Sequence, residues 1–179
     1  MKYKEELIRS MDYLAADKRT IFLGQTVVWS GNSIYGTLIN VPEKQKMEMP
    51  VFEDTQLGLS TGLALAGFIP VSIFPRFNFF LLTMNQLVNH LDKLPEITRG
   101  AVRPKVIMRT SIGSIRPLFP GCQHSGDYTE AMKAFGLQYI DIVRLDEPEQ
   151  IFPAYKKAFE RTDGKSTLLA EFGDYYNEK

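Results

Sequence analysis

The sequence predicts a three-layer α/β/α domain built on a mostly parallel sheet. Helical and extended patterns alternate along the chain, and the extended runs are almost continuously apolar. Strands covered on both faces read this way, with the intervening helices as crossovers. No repeat, low-complexity tract or linker interrupts the pattern, so residues 1–179 read as one domain, long enough to bury a core.

Tyr3, Leu7, Ile8, Met11 and Leu14 fall on one face of a first helix. Thr20 to Leu23 reads as a short strand, followed by a second apolar run, Val27-Val28-Trp29. The polar, glycine-bearing stretch from Ser30 to Lys46 reads as a mobile loop. Met49 to Phe52 reads as a buried strand that passes at Glu53 into a Gly/Ala-rich helix. Gly67-Phe68-Ile69-Pro70 turns out of that helix, and Val71 to Phe74 is the next strand. Phe77, Phe80, Leu81, Met84, Leu87, Val88 and Leu91 follow i, i+3, i+4 spacing and predict one helix. Its apolar side is a candidate partner-seeking face. Val106-Ile107-Met108 is a buried strand, Thr129 to Phe135 a short helix, and Tyr139 to Val143 another strand. Asp146 and Glu149 resemble a capping box opening the last helix. Ile151, Phe152, Tyr155 and Phe159 form its inner face, Gly164 ends it, and Ser166 to Phe172 supplies the final strand.

Composition removes several classes of function. Lys/Arg and Asp/Glu balance at 21 each, with no basic cluster, so no nucleic-acid footprint is visible. Thr55 to Pro75 carries no charge, but Gly58, Gly62, Gly67, Pro70 and Pro75 mark a buried helix and strand rather than a membrane span. The single cysteine, Cys122, has no disulfide or CxxC partner and reads as a buried small hydrophobe. With two histidines in the chain, a His/Cys metal site is not expected. The charged N-terminus lacks the apolar core of a signal peptide, which leaves the cytoplasm as the expected compartment.

Three segments should meet at the carboxyl ends of the strands, where open α/β sheets bind ligands. The first is Glu53, either a carboxylate helping to cap its helix or a functional acid favoured there by the helix dipole. The second is Arg76-Phe77-Asn78-Phe79, in which Phe77 suits either the core or a stack on a ligand. The third is Gly121-Cys122-Gln123-His124-Ser125, after the strand that ends at Arg109. His124 reads there as exposed rather than packed. Arg109 suits either loop anchoring or anion binding.

Their order resembles a known family, the pyrimidine-binding domain of thiamine-diphosphate enzymes. The nearest resemblance is to the N-terminal half of the beta subunit of the decarboxylating 2-oxo acid dehydrogenase component, and a more distant one is to transketolase. It rests on Pro50-x-x-Glu53 with Gly58, Gly62, Ala66-Gly67 and Pro70; on Phe77-Asn78-Phe79 through Asn85-Gln86; on Arg109-x-x-x-Gly113; and on Gln123-His124-Ser125. The resemblance implies that Glu53 hydrogen-bonds the aminopyrimidine ring nitrogen and promotes loss of the thiazolium carbon's proton. It also implies that Phe77 stacks on the pyrimidine and that His124 steers protons on substrate oxygen. Asn78 and Gln123 would be supporting cofactor contacts.

Departures from the family are equally informative. The family holds the diphosphate through magnesium, using Gly-Asp-Gly and a later Asn-Asn pair. Here Gly126-Asp127 and Gly173-Asp174 are each followed by tyrosine, and no Asn-Asn pair exists. The resemblance therefore implies a split enzyme, in which a separate diphosphate-binding chain holds magnesium and the assembly is a homo- or hetero-oligomer. The substrate would be a small 2-oxo acid or ketose. Ser114 to Pro120 replaces a glycine-rich stretch of the family and carries Arg116, which either meets an anion or faces solvent. The competing expectation is a non-catalytic relative acting as a structural or regulatory partner. A stand-alone nucleotide-binding domain lacks the Gly-rich loop it would need.

Overall fold

The computed structural model describes residues 1–116 and 119–178, apart from the side chains of residues 177 and 178. In chain order the helices and strands are α1 (Tyr3–Ala15), β1 (Thr20–Gly24), α2 (Ser33–Thr37), β2 (Lys46–Glu48), α3 (Glu53–Leu65), β3 (Ile69–Phe74), α4 (Phe77–Phe80), α5 (Leu94–Ile97), β4 (Ile107–Ile112), α6 (Thr129–Ala134), β5 (Ile140–Arg144), α7 (Pro148–Glu160), β6 (Ser166–Phe172) and α8 (Tyr175–Glu178). Among the described residues the strands form a six-stranded sheet in the order β2-β1-β3-β4-β6-β5. Every pairing is parallel.

Alternate residues of each strand feed two cores, as the period-2 geometry of a strand requires. Val71, Ile73, Ile107 and Leu169 join Tyr3, Leu7, Met11 and Leu14 of α1 and Ile151 and Tyr155 of α7 on one face. Phe74, Met108, Leu168 and Ala170 join Leu57, Phe77, Phe80 and Leu87 on the other. The three-layer expectation holds. At Gly24 the crossing is too tight for a side chain, since a Cβ there would stand 2.2 Å from the Ile73 carbonyl oxygen.

Several local expectations change. The strand expected at Met49–Phe52 lies earlier, at Lys46–Glu48, and Val51 and Phe52 are exposed. Glu48 explains the register: its carboxylate accepts the amides of Thr26, Val27 and Val28 at 2.6, 2.9 and 3.0 Å. Those amides therefore form a turn rather than a second apolar strand, and Trp29 is exposed. The stretch from Ser30 to Lys46 is not a plain loop. It contains α2 and a 3₁₀ turn at Glu43–Gln45, and it buries Ile34, Leu38 and Val41.

The single helix expected over Phe77–Leu91 is broken into α4, a 3₁₀ turn at Leu81–Thr83 and a π-helical stretch at Asn85–Leu91. The break lets Phe77, Phe80, Leu87 and Leu91 all enter one core, so this segment exposes only Leu82 among its large hydrophobics. It is not the apolar face that the spacing suggested. The capping box of α7 sits one residue later than expected, at Glu147 and Gln150. That helix ends at Glu160, before the turn containing Gly164. In the bulky Ser114–Pro120 stretch, Pro117 and Leu118 lie outside the described residues.

Candidate functional site

Parallel strands deliver their carboxyl ends to one edge, and the loops leaving β1, β3, β4 and β6 meet there. Glu53 is the first residue of α3 and only 4% exposed. It does not cap the helix: Phe52 occupies the N-cap and makes no side-chain cap bond. Instead Glu53 Oε1 accepts a long hydrogen bond, 3.3 Å, from Gln25 Nε2. Gln25 follows β1 in the turn that Glu48 holds, so three separate segments set the position of one carboxylate.

A second cluster forms around Arg76, at the end of β3. Arg76 Nη1 donates to the carbonyl oxygens of Gly113 at 2.9 Å, Ser114 at 3.4 Å and His124 at 2.9 Å. One guanidinium nitrogen thus ties together the loops after β3 and β4. His124 is half-buried, its ring 5.4 Å from that of Phe79, and its Nδ1 is buried without a hydrogen-bond partner. Asn78 Nδ2 donates to Tyr128 Oη at 3.1 Å, while Asn78 Oδ1 is likewise buried and unpartnered. Buried polar atoms without partners are uncommon, and a bound water, ion or ligand would satisfy them.

The remaining predicted residues separate. Phe77 is 0% exposed, with its ring centroid 6.0 Å from Phe80 and 5.6 Å from Tyr128 in edge contacts. As placed, it is a core residue with no face open to a ligand. Gln123 is exposed, and so is Cys122, which corrects the reading of the cysteine as buried. No hydrogen bond or ring contact among the described residues joins Glu53 to Phe77, Asn78, Gln123 or His124. The two clusters share an edge, not a network.

Arg109 resolves as an anchor rather than an anion ligand. It is fully buried and donates through Nε and Nη2 to Glu171 at 2.6 and 3.0 Å. The hydroxyls of Tyr155 and Tyr176 also donate to Glu171. Burial pulls the Arg109 pKa down, but the facing carboxylate outweighs it and holds the guanidinium above its usual value. Burial, then Glu171, pushes both tyrosines well above the usual phenol range. The aspartates of the two Gly-Asp-Tyr segments are also engaged. Asp127 accepts from Thr129 and Arg144. Asp174 Oδ1 accepts from Ser114 Oγ and from the amides of Ile115 and Arg116. Sequence reasoning missed Gln25 and Tyr128 as site residues, and it placed Arg76 in a site segment without giving it a role. Arg76 carried a signal, a lone cation at a strand-to-helix junction.

Fold and edge together define a class, the transketolase-like α/β domain. A solved structure described as a split-gene transketolase in an inactive beta4 tetramer superposes with a TM-score of 0.66 at 14% identity, covering 96% of this chain and 51% of that one. The chain's homologues by sequence are beta subunits of 2-oxo acid dehydrogenases, which is consistent with a pyrimidine-binding domain of the thiamine-diphosphate enzymes. The 3-methyl-2-oxobutanoate dehydrogenase subunit beta of Mycobacterium tuberculosis is 32% identical over 124 residues, covering 67% of this chain and 34% of that one. The pyruvate dehydrogenase E1 component subunit beta of Rickettsia bellii is 29% identical over 128 residues, covering 70% and 37%. The chain therefore spans about a third of the length of the curated relatives it matches. No family model matches it. No helix among the described residues is long and apolar enough to cross a membrane.

Proposed function

We propose that this chain is the pyrimidine-binding part of a split thiamine-diphosphate enzyme, acting on 2-oxo acids or transferring ketol groups once a diphosphate-binding chain completes the site. The observation that carries the reading is Glu53. A nearly closed carboxylate at the sheet's carboxyl edge, held by one long amide bond, is unspent acceptor capacity facing the place where ligands bind in such sheets. The cofactor, when bound, supplies a carbon acid that becomes a nucleophile toward a carbonyl carbon.

The residues present fit its aminopyrimidine end. Glu53 would accept the bond from the ring and exchange a proton with it. The unpartnered Asn78 Oδ1 offers an acceptor there, while the unpartnered His124 Nδ1 would face substrate oxygen rather than the pyrimidine. Phe79, half-buried beside His124, is the ring available for stacking, with Phe77 supporting it from the core. Gln123, exposed on the same loop, would reach the cofactor or the partner chain. Asp127 and Asp174 are committed to loop contacts, so magnesium and the diphosphate fall to the partner chain.

The test is proton–deuterium exchange at the thiazolium carbon in the complex reconstituted with a diphosphate-binding chain. Glu53→Gln keeps the shape and should slow exchange by roughly 10²–10⁴-fold, the scale of losing a general acid–base group. Unchanged exchange in a complex shown to bind cofactor rejects the reading in favour of a non-catalytic partner. The chain alone should bind thiamine diphosphate poorly, and tight magnesium-dependent binding to it in calorimetry would rule out the split site.

A further inference from the structure

The loops that Arg76 gathers enclose a cavity of about 310 Å³, at the small end of the range for ligand pockets. It opens between the ends of β1, β3, β4 and β6, and neither Glu53 nor His124 lines it. Its wall includes Asn32, Ser33, Arg76, Ser111, Ser114 and Tyr176, and no acidic residue among those described. Arg76 is the one formal charge on that wall. Its Nη1 is fixed by three carbonyl oxygens, whereas Nε and Nη2 have no protein hydrogen bond and no carboxylate pairs with it among the described residues.

A guanidinium held along one side, without a counter-ion and facing a cavity, is preorganised for an oxyanion. The nearby acid, Asp174, accepts Ser114 Oγ and the amides of Ile115 and Arg116 through Oδ1. Arg109, on the neighbouring strand β4, is already paired with Glu171. Among the described residues lining the cavity, the one formal charge is therefore that of Arg76.

We infer that this cavity binds the carboxylate of a small 2-oxo acid, with Arg76 as the anion ligand. The identity of the ligand rests on the function proposed above, while the existence of an anion site rests on the cavity alone. Carboxylate and phosphate share the chemistry that Arg76 recognises. The carboxylate is preferred because the pocket is small and offers a single cation.

The experiment is an amide-resolved NMR titration of the chain by itself with pyruvate, methyl pyruvate or inorganic phosphate. Pyruvate should shift the amides of Ser111, Gly113, Ser114 and Gly173 saturably, and the neutral ester should not. Arg76→Gln should weaken pyruvate by about 10- to 100-fold, the range for removing a charged hydrogen-bond partner. Because Arg76 also holds the loops, Ser33→Asp provides a second variant that puts an anion at the exposed mouth and leaves the carbonyl contacts intact. It should weaken pyruvate several-fold.

No saturable shift with pyruvate, or equal binding of methyl pyruvate, overturns the site. Phosphate binding more tightly than pyruvate overturns the assignment to a 2-oxo acid. Undiminished pyruvate binding in folded Arg76→Gln and Ser33→Asp removes Arg76 from it. None of these readouts needs thiamine diphosphate or a second chain. Pyruvate binding without Glu53-dependent exchange would therefore reject the catalytic reading alone, and the converse result would reject the cavity alone.

Discussion

Glu171 and Glu53 are 0% and 4% exposed, yet the first receives four donors and the second receives one. Around Glu171 the chain has assembled Arg109 from β4, Tyr155 from α7 and Tyr176 from α8, joining three elements through one carboxylate. Around Glu53 it has placed only Gln25, at 3.3 Å. A saturated buried charge fixes structure, because any movement leaves a partner uncompensated. An under-saturated one costs stability unless something else satisfies it. The contrast separates a carboxylate that serves the fold from one proposed to serve a ligand.

The largest effect expected on the ligand side is at His124. In the reconstituted complex, His124→Ala should slow turnover by roughly 10²–10⁴-fold while leaving cofactor affinity nearly intact, because a positioned proton donor is lost but no cofactor anchor. Steady-state kinetics at saturating cofactor would check this. Full turnover with lost cofactor binding would move His124 from proton handling to anchoring.

On the structural side, Glu171→Gln should destabilise the chain by about 3–5 kcal/mol, since it leaves Arg109 buried without its counter-charge. Urea unfolding of the isolated chain measures this directly. A loss below about 1 kcal/mol would mean that water reaches Arg109, and would erase the distinction between the two glutamates.

How visible the two sites are in the sequence follows from the same contrast. β3, β4, β6, α1 and α7 were legible because their partners are generic: an apolar residue at the right period finds a core wherever the chain turns. Glu53, Asn78 and His124 were singled out by the order of their motifs, and their roles are those proposed above. The Arg109–Glu171 pair was not, because nothing local to Glu171 in the strand Ser166–Phe172 announces a partner 62 residues away. Gln25 was invisible for a similar reason, since Glu48 shapes its turn from 20 to 22 residues downstream. The misplaced β2 shows the limit of apolar runs at a sheet edge. Val51 and Phe52 look like a strand but are exposed, whereas Lys46-Met47-Glu48 pairs because Glu48 has amides to hold.

A smaller effect tests how evenly the Glu171 knot shares its load. Tyr155→Phe removes one hydroxyl while Arg109 and Tyr176 still donate. The expected cost is about 1.5–2 kcal/mol, the lower part of the range for a hydrogen bond to a charged group. A cost matching that of Glu171→Gln would show that the tyrosine, rather than the guanidinium, holds the carboxylate.

The smallest effect should be on stability at Glu53. Glu53→Gln removes a charge from a site 4% exposed, which relieves desolvation. It also removes a favourable interaction with the N-terminus of α3, worth about 0.3–1 kcal/mol. The one hydrogen bond it disturbs is already long, and a glutamine carbonyl can still accept it. These terms oppose one another, so unfolding of the isolated variant should fall within about 1 kcal/mol of the parent. The same substitution is expected to slow cofactor activation by orders of magnitude, so the pair of measurements separates the two roles in one variant. If Glu53→Gln instead destabilised the chain as much as Glu171→Gln, Glu53 would be a structural carboxylate with partners supplied by solvent, and the division between the two glutamates would collapse.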